Sequence, residues 1–371
     1  QVNSMINNYG TYRQDLFDFC RAPHGNPDNK ITTLFMSFSA FIYSNYGTLA
    51  NFISVAADSG ITIEYLDGDA SWATYNQKYG YDRIKKVIEY NASRTNDKEK
   101  IKGIHFDVEP YLLRPGGNYK APYWDTDRMA VWNSFLAFND TCQAMVDSSY
   151  SDLYFGIAIP RWYESHVGID ELKKIQSLVD YVAIMDYNEK ASIIISDAKN
   201  EIDHAKELNK KVWIGVETKE IEPETVSFYE EGVAYMEEQL GIVNDSYGNE
   251  DVFLGFAIHS YKYYRVLRND PVSVKKNELP INSDFVLSAN NKFARYLERE
   301  IKTGDTLKII LKFNPNYLNI NSLIGGWPRL VKDGNNLMKI NDSLEGDLPR
   351  FSKIKHPRTG IGFSKDSLTV F

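Results

Sequence analysis

The chain has 371 residues, 43% of them hydrophobic and 13% aromatic, enough to bury a sizeable core in one large α/β domain or in two to three smaller ones. Its net charge of −8 comes from interspersed acidic and basic residues, which argues against a nucleic-acid groove or a polybasic membrane patch. Six histidines and two cysteines, Cys20 and Cys142, show no metal-ligand spacing, so no metal or cofactor is expected and the cysteines read as buried free thiols rather than a disulfide.

In chain order, a first short strand is expected near the opening QVNSM. Strand-length apolar runs follow at ITTLFMSF (31–38), ITIEYLDG (61–68), IKGIHFDVEP (101–110), LYFGIAIP (153–160), VDYVAIMDY (179–187), KVWIGVET (211–218) and VFLGFAIHSY (252–261). Between them lie segments with helical periodicity, such as YDRIKKVIEYNA, RMAVWNSFLAFNDTCQAMV and SDAKNEIDHAKELN. Apolar strands that alternate with helices form a parallel sheet, and about eight such units predict an α/β fold, a (β/α)8 TIM barrel over residues 1–270. A doubly wound open sheet is the alternative, but no Gly-rich phosphate loop follows an early strand. No stretch is long or apolar enough to span a membrane. Gln1 opens without a basic region and an apolar region, and the Tyr- and Asn-rich composition suits a secreted or envelope-associated bacterial protein whose signal peptide has been removed.

In a barrel the C-terminal strand ends open onto the active face, and side chains two apart on a strand share a side. His105, Asp107 and Glu109 would line up along one strand, with Glu109 nearest the mouth. The same rim would collect Asp67 and Asp69, Arg161 and Trp162, Asp186 and Tyr187, Glu217, and His259 with Tyr261. Carboxylates among aromatic rings suit sugar chemistry: a carboxylic acid protonates the glycosidic oxygen, a second group supports the oxocarbenium-like centre, and rings stack on pyranose faces. Glu109 and Glu217 could form the acid/base and nucleophile pair of a retaining glycosidase if their carboxylates come within about 5.5 Å. His105 would orient Asp107 or be a satisfied buried histidine. Trp72, Trp162 and Tyr261 are candidate sugar platforms, with Trp72 equally readable as packing.

The stretch GIHFDVE resembles the end of the D-x-x-D-x-D-x-E strand of family 18 glycoside hydrolases, the chitinase-like enzymes, and IMDYN resembles that family's M-x-Y-D/N. The resemblance spans roughly residues 1–265. It implies a hydrolase acting on an N-acetylhexosamine-containing carbohydrate, with Glu109 as general acid, Asp107 orienting the substrate's acetamido carbonyl and Tyr187 donating to the same group. The substrate's N-acetyl oxygen would then serve as nucleophile. Lys102 and His105 stand where the family has its two earlier aspartates, and His259 stands where a tryptophan floor is expected. These differences keep open a catalytically silent glycan-binding barrel.

After YYRVLRND the alternation of helix and strand stops. Glycine pairs and short alternating strands in LIGGWPRLVKDGNN and HPRTGIGFSKD imply a separate β-rich α+β domain over 275–371. These segments resemble the phosphodiester glycosidase domain, which acts on N-acetylglucosamine phosphodiesters, and the match is partial. The resemblance implies Gly325, Gly326 and Pro328 in a glycine turn, and Arg358 beside Thr359 as a substrate-binding arginine suited to phosphate.

Overall fold

The computed structural model describes residues 2–149 and 152–268, together with four short strands further on. The chain divides into two compact units, Gln1–Lys276 and Asn277–Phe371. In the first, seven strands form one parallel sheet in sequential order: β1 (Thr33–Met36), β2 (Thr62–Asp67), β3 (Gly103–Phe106), β4 (Tyr154–Pro160), β5 (Tyr181–Met185), β6 (Lys211–Glu217) and β7 (Phe253–His259). Helices α1 (Val2–Ile6) and α2 (Tyr12–Arg21) precede the sheet. Its connections carry α3 (Ser39–Ser44), α4 (Tyr46–Asp58), α5 (Gln77–Ala92), α6 (Trp124–Asp147), α7 (Tyr163–Val167), α8 (Ile169–Ser177), α9 (Ala191–Leu208) and α10 (Gly232–Tyr247), and α11 (Tyr261–Tyr264) follows β7. Their buried faces obey the helical period; α5, for instance, buries Gly80, Ile84, Val87 and Asn91.

The expected first strand at QVNSM is instead α1. Val2, Met5 and Ile6 are spaced three and four apart, so a helix turns all three to one side, and Met5 and Ile6 are buried. The run at 101–110 is therefore the third strand and not the fourth, and among the described residues the sheet has seven strands, with β1 and β7 at its edges. The sheet is curled, a TIM-barrel-like half-barrel. From β1, the Phe35 ring lies 4.5 Å from His105 on β3, 6.4 Å from Tyr181 on β5 and 6.1 Å from Trp213 on β6, which a flat sheet with strands about 4.8 Å apart could not allow. The N-terminal segment meets the chain beyond β7: Phe19 packs on Tyr261 and Tyr264, and His24 Nε2 hydrogen-bonds the Tyr264 carbonyl at 2.8 Å.

Alternation along the strands sorts side chains between two layers. Ile63 and Tyr65, Ile104 and Phe106, Phe155, Ile157 and Ile159, Val182 and Ile184, and Val212, Ile214 and Val216 face the helices and are buried. The opposite positions face the concave interior, where two glycines make room for larger neighbours. A Cβ on Gly156 would lie 2.1 Å from the Tyr181 ring, and one on Gly103 would lie 2.4 Å from Tyr154 and 2.7 Å from a Glu64 carboxylate oxygen.

Cys20 and Cys142 are free and buried. Among the described residues no helix is long and apolar enough to cross a membrane. In the second unit Val331–Lys332 pairs with Asn335–Asn336 and Ile361–Phe363 with Leu368–Val370, both antiparallel. Gly325, Gly326, Pro328, Arg358 and Thr359 lie outside the described residues.

Candidate active site

Below the mouth, the interior holds a closed polar network. Glu64 accepts hydrogen bonds from the Tyr181 hydroxyl at 2.6 Å and the Tyr154 hydroxyl at 3.0 Å. Tyr181 also pairs with His105 Nδ1 at 2.9 Å. Burial raises the Glu64 carboxyl to about 7, against the pull of the two tyrosine hydroxyls, and burial lowers His105 to about 3. His105 is thus a neutral ring packed between Phe35 and Tyr181, and its hydrogen bond goes to Tyr181 rather than to Asp107.

One turn of the pleat higher, at the C-terminal strand ends, the same inward positions carry Asp107, Tyr187, Glu217 and His259, with Glu109 in the loop after β3. Asp107 is open to solvent, yet it is deep enough among protein atoms that burial, and then Glu109, raise its carboxyl to about 6 while His259 lowers it. The Tyr111 hydroxyl donates to Glu109 Oε1. Tyr187 is pushed above the ordinary phenol range by burial and then by the charges of Glu217, Asp107 and Glu109. Glu217 is buried and fully engaged: Oε1 accepts the Thr218 and Lys219 backbone amides, each at 2.8 Å, and Oε2 meets His259 Nδ1 at 2.8 Å. The His259 ring lies nearly parallel to Tyr187, centroids 6.3 Å apart.

Other residues expected at the rim lie elsewhere. Asp67 points to the helix layer, where one of its oxygens accepts from Tyr65 at 2.6 Å, Ser39 at 3.0 Å and Arg83 Nε at 2.8 Å. Asp186, next to Tyr187 in sequence, has the opposite orientation and is fully buried. Burial, and then Asp197, raise it to about 8, partly offset by Arg161, which itself pairs with Asp197. Asp69 caps the turn Ala70–Ala73 through the Ser71 amide at 2.9 Å. Tyr261 packs on Phe19, and Trp72 is buried against Phe106. Trp162 does reach the rim, its ring 4.9 Å edge-on to Tyr111.

Two further tyrosines lie near Glu109. Tyr111 holds Glu109, and the Tyr119 hydroxyl is raised by burial and then by nearby Asp69, with Glu109 adding to it. Tyr111 sits two residues after Glu109, in the short turn Pro110–Leu112 that folds it back; nothing in the sequence singles out Tyr119. Among the described residues no group of three or more His, Cys, Asp or Glu side chains is arranged to hold a metal ion.

No protein-family model and no curated protein matches the sequence. Among solved structures, the catalytic core of xylanase A matches over 71% of this chain and 86% of its own, with 12% identity and a TM-score of 0.44. A Chromobacterium violaceum chitinase matches over 46% of this chain and 53% of its own, with 15% identity and a TM-score of 0.31. A Bacteroides uniformis β-glucuronidase matches over 62% of this chain, with 12% identity and a TM-score of 0.41, and the matched part spans 26% of that enzyme's length. What the mouth can do follows from its side chains rather than from these likenesses.

Proposed function

We propose that the chain is a glycosidase of the family 18 type, cleaving an N-acetylhexosamine-containing glycan at the mouth of the half-barrel. The observation that supports this reading is that Asp107 and Glu109, just after β3, and Tyr187, just after β5, follow C-terminal strand ends of one sheet and are close enough for the two carboxyls to act on the Tyr187 hydroxyl. Glu109, held by Tyr111, protonates the glycosidic oxygen. Asp107 accepts the acetamido N–H and turns the carbonyl oxygen toward the anomeric carbon, and the Tyr187 hydroxyl donates to that oxygen. The acetamido oxygen attacks as the glycosidic bond breaks and the leaving group takes the proton from Glu109. Water then opens the cyclic intermediate and returns a proton to Glu109. Glu217 is better suited to support than to nucleophilic attack, since three donors already occupy its two oxygens. On sequence resemblance alone, residues 275–371 form a partial phosphodiester-glycosidase-like domain.

The test is hydrolysis of matched oligosaccharides, chitooligosaccharides and peptidoglycan fragments, with and without their N-acetyl groups. Release of product from the acetylated members only is expected. Cleavage of the free amines at an equal rate would remove the acetamido group from the mechanism, and binding without turnover would make the barrel a glycan-binding module.

A further inference from the structure

We propose that the rim between β6 and β7 is an anion subsite, at which His259, Lys219 and Lys262 hold a carboxylate or phosphate carried by the glycan. The proposal deepens the reading above and rests on it for the glycan itself. At its centre is Glu217, whose side chain is 5% exposed. Oε1 accepts the backbone amides of Thr218 and Lys219, each at 2.8 Å, and Oε2 meets His259 Nδ1 at 2.8 Å. One buried carboxylate thereby fixes both the start of the loop that carries Lys219 and the angle of an imidazole that is itself 59% exposed. Glu217 and His259 are also register partners on β6 and β7, and the Thr218 amide and hydroxyl both donate to the His259 carbonyl at 2.8 Å.

The two lysines reach this place from adjacent strand ends, Lys219 after β6 and Lys262 from α11 after β7. Tyr263 gathers them: Lys262 Nζ lies 4.9 Å and Lys219 Nζ 5.9 Å from the centre of its ring, and Lys262 Nζ also donates to its hydroxyl at 3.4 Å. A ring attracts ammonium groups without neutralising them. Both lysines are exposed, and among the described residues neither pairs with a carboxylate. The loop after β6 also carries Glu220, Glu222 and Glu224, so the placement of the cations, not the net charge of the loop, makes the subsite. His259 completes the set as an imidazolium, with Nδ1–H donating to Glu217 and Nε2–H to the bound anion. Its surroundings favour that form: the hydrogen bond to Glu217 raises it most, burial opposes, the charges of Glu217 and of Asp107 after β3 raise it further, and Lys219 lowers it, while the Tyr187 ring stacks beside it. Asp107 and Glu109 follow β3, so a negative substituent is directed away from them and toward the β6–β7 side. This gives a physical reason for a histidine where a flat aromatic floor was expected.

The test titrates the full chain by NMR with three sugars that differ in one substituent: N-acetylglucosamine, N-acetylmuramic acid and a phosphorylated N-acetylglucosamine. An acidic sugar should bind about tenfold or more tightly than the neutral one, and the tighter of the two acids names carboxylate or phosphate as the group recognised. That preference should weaken with added salt and as pH rises through the His259 midpoint, since the ring then loses its Nε2 proton. It should fall several-fold in His259→Gln and in the double variant Lys219→Gln, Lys262→Gln. Equal affinity for all three sugars, no binding of either acid, or a preference that survives in both variants would overturn the proposal. If His259→Gln does not fold, the double variant decides alone, since both lysines are exposed. The binding readout needs no turnover: acid preference without cleavage of any glycan would refute the function and keep the subsite, and cleavage of neutral chitooligosaccharides without acid preference would do the reverse.

Discussion

The interior network and the mouth are built from the same residue types on the same inward strand positions, one pleat apart. Below, Glu64, His105, Tyr154 and Tyr181 satisfy one another, and all but the half-buried Tyr154 are closed to solvent. Above, Asp107 and His259 are open to solvent, and Glu109 and Tyr187 are partly so. A carboxylate, an imidazole and phenols make a stable core where their hydrogen bonds close on themselves and a reactive surface where they do not. The difference lies in unused bonding capacity, not in composition.

Substitution at the mouth should cost activity and little stability, and substitution in the core the reverse. Asp107→Asn is expected to lower kcat by about 10²-fold or more with an unchanged melting temperature, because it removes the charge that the proposed mechanism uses to orient an acetamido group. Activity within a few-fold of wild type would move Asp107 out of the site.

Glu64 gives the largest effect on stability. Its carboxyl is raised from 4.5 to about 7 in the folded chain, so between those values the folded state binds more protons than the unfolded one. Stability should therefore fall as pH rises through this window, by up to about 3 kcal/mol, and stay lowered above it. Glu64→Gln, neutral at every pH, should lose this slope in urea titrations at pH 5 and pH 7.5. A slope equal to that of the wild type would place the pH dependence elsewhere.

Asp67→Asn should destabilise the fold by about 2 kcal/mol, since it weakens the charged acceptor shared by Arg83, Tyr65 and Ser39, and should leave kcat/KM alone. A loss of activity without loss of stability would return Asp67 to the rim. The smallest effect is expected from ending the chain near residue 270. All seven strands belong to the unit Gln1–Lys276, and the shortened chain should keep a cooperative unfolding transition within a few degrees of the full one. Aggregation would mean that the tail supplies part of the half-barrel.

The strands were legible because runs buried on both faces are near-continuously apolar, and all seven internal runs became strands. That same continuity hides which face is which. In ITIEYLD the set Ile61, Ile63, Tyr65 and Asp67 is more apolar than Thr62, Glu64 and Leu66, but both faces of such a strand are covered, so apolarity alone does not assign Asp67 to the helix side. Adjacent Asp186 and Tyr187 must point oppositely on an extended chain, and period two alone cannot say which one enters the mouth. Pairing of Glu217 with His259 depends on register across β6 and β7, which shifts at Val212 and Trp213 and has no sequence signature. The GIHFDVE stretch carried the most information, because an apolar strand ending in Asp-x-Glu puts both carboxylates on one side.

The central claim is that chemistry belongs to the inward side of the strand ends, and it is tested most directly by comparing Glu109→Gln with Asp186→Asn on a glycan that the wild type cleaves. Glu109→Gln should lose about 10²-fold or more in kcat with its fold intact, whereas Asp186→Asn, buried toward the helices, should stay within a few-fold of wild type. Retained activity in Glu109→Gln, or an equal loss in a well-folded Asp186→Asn, would contradict it.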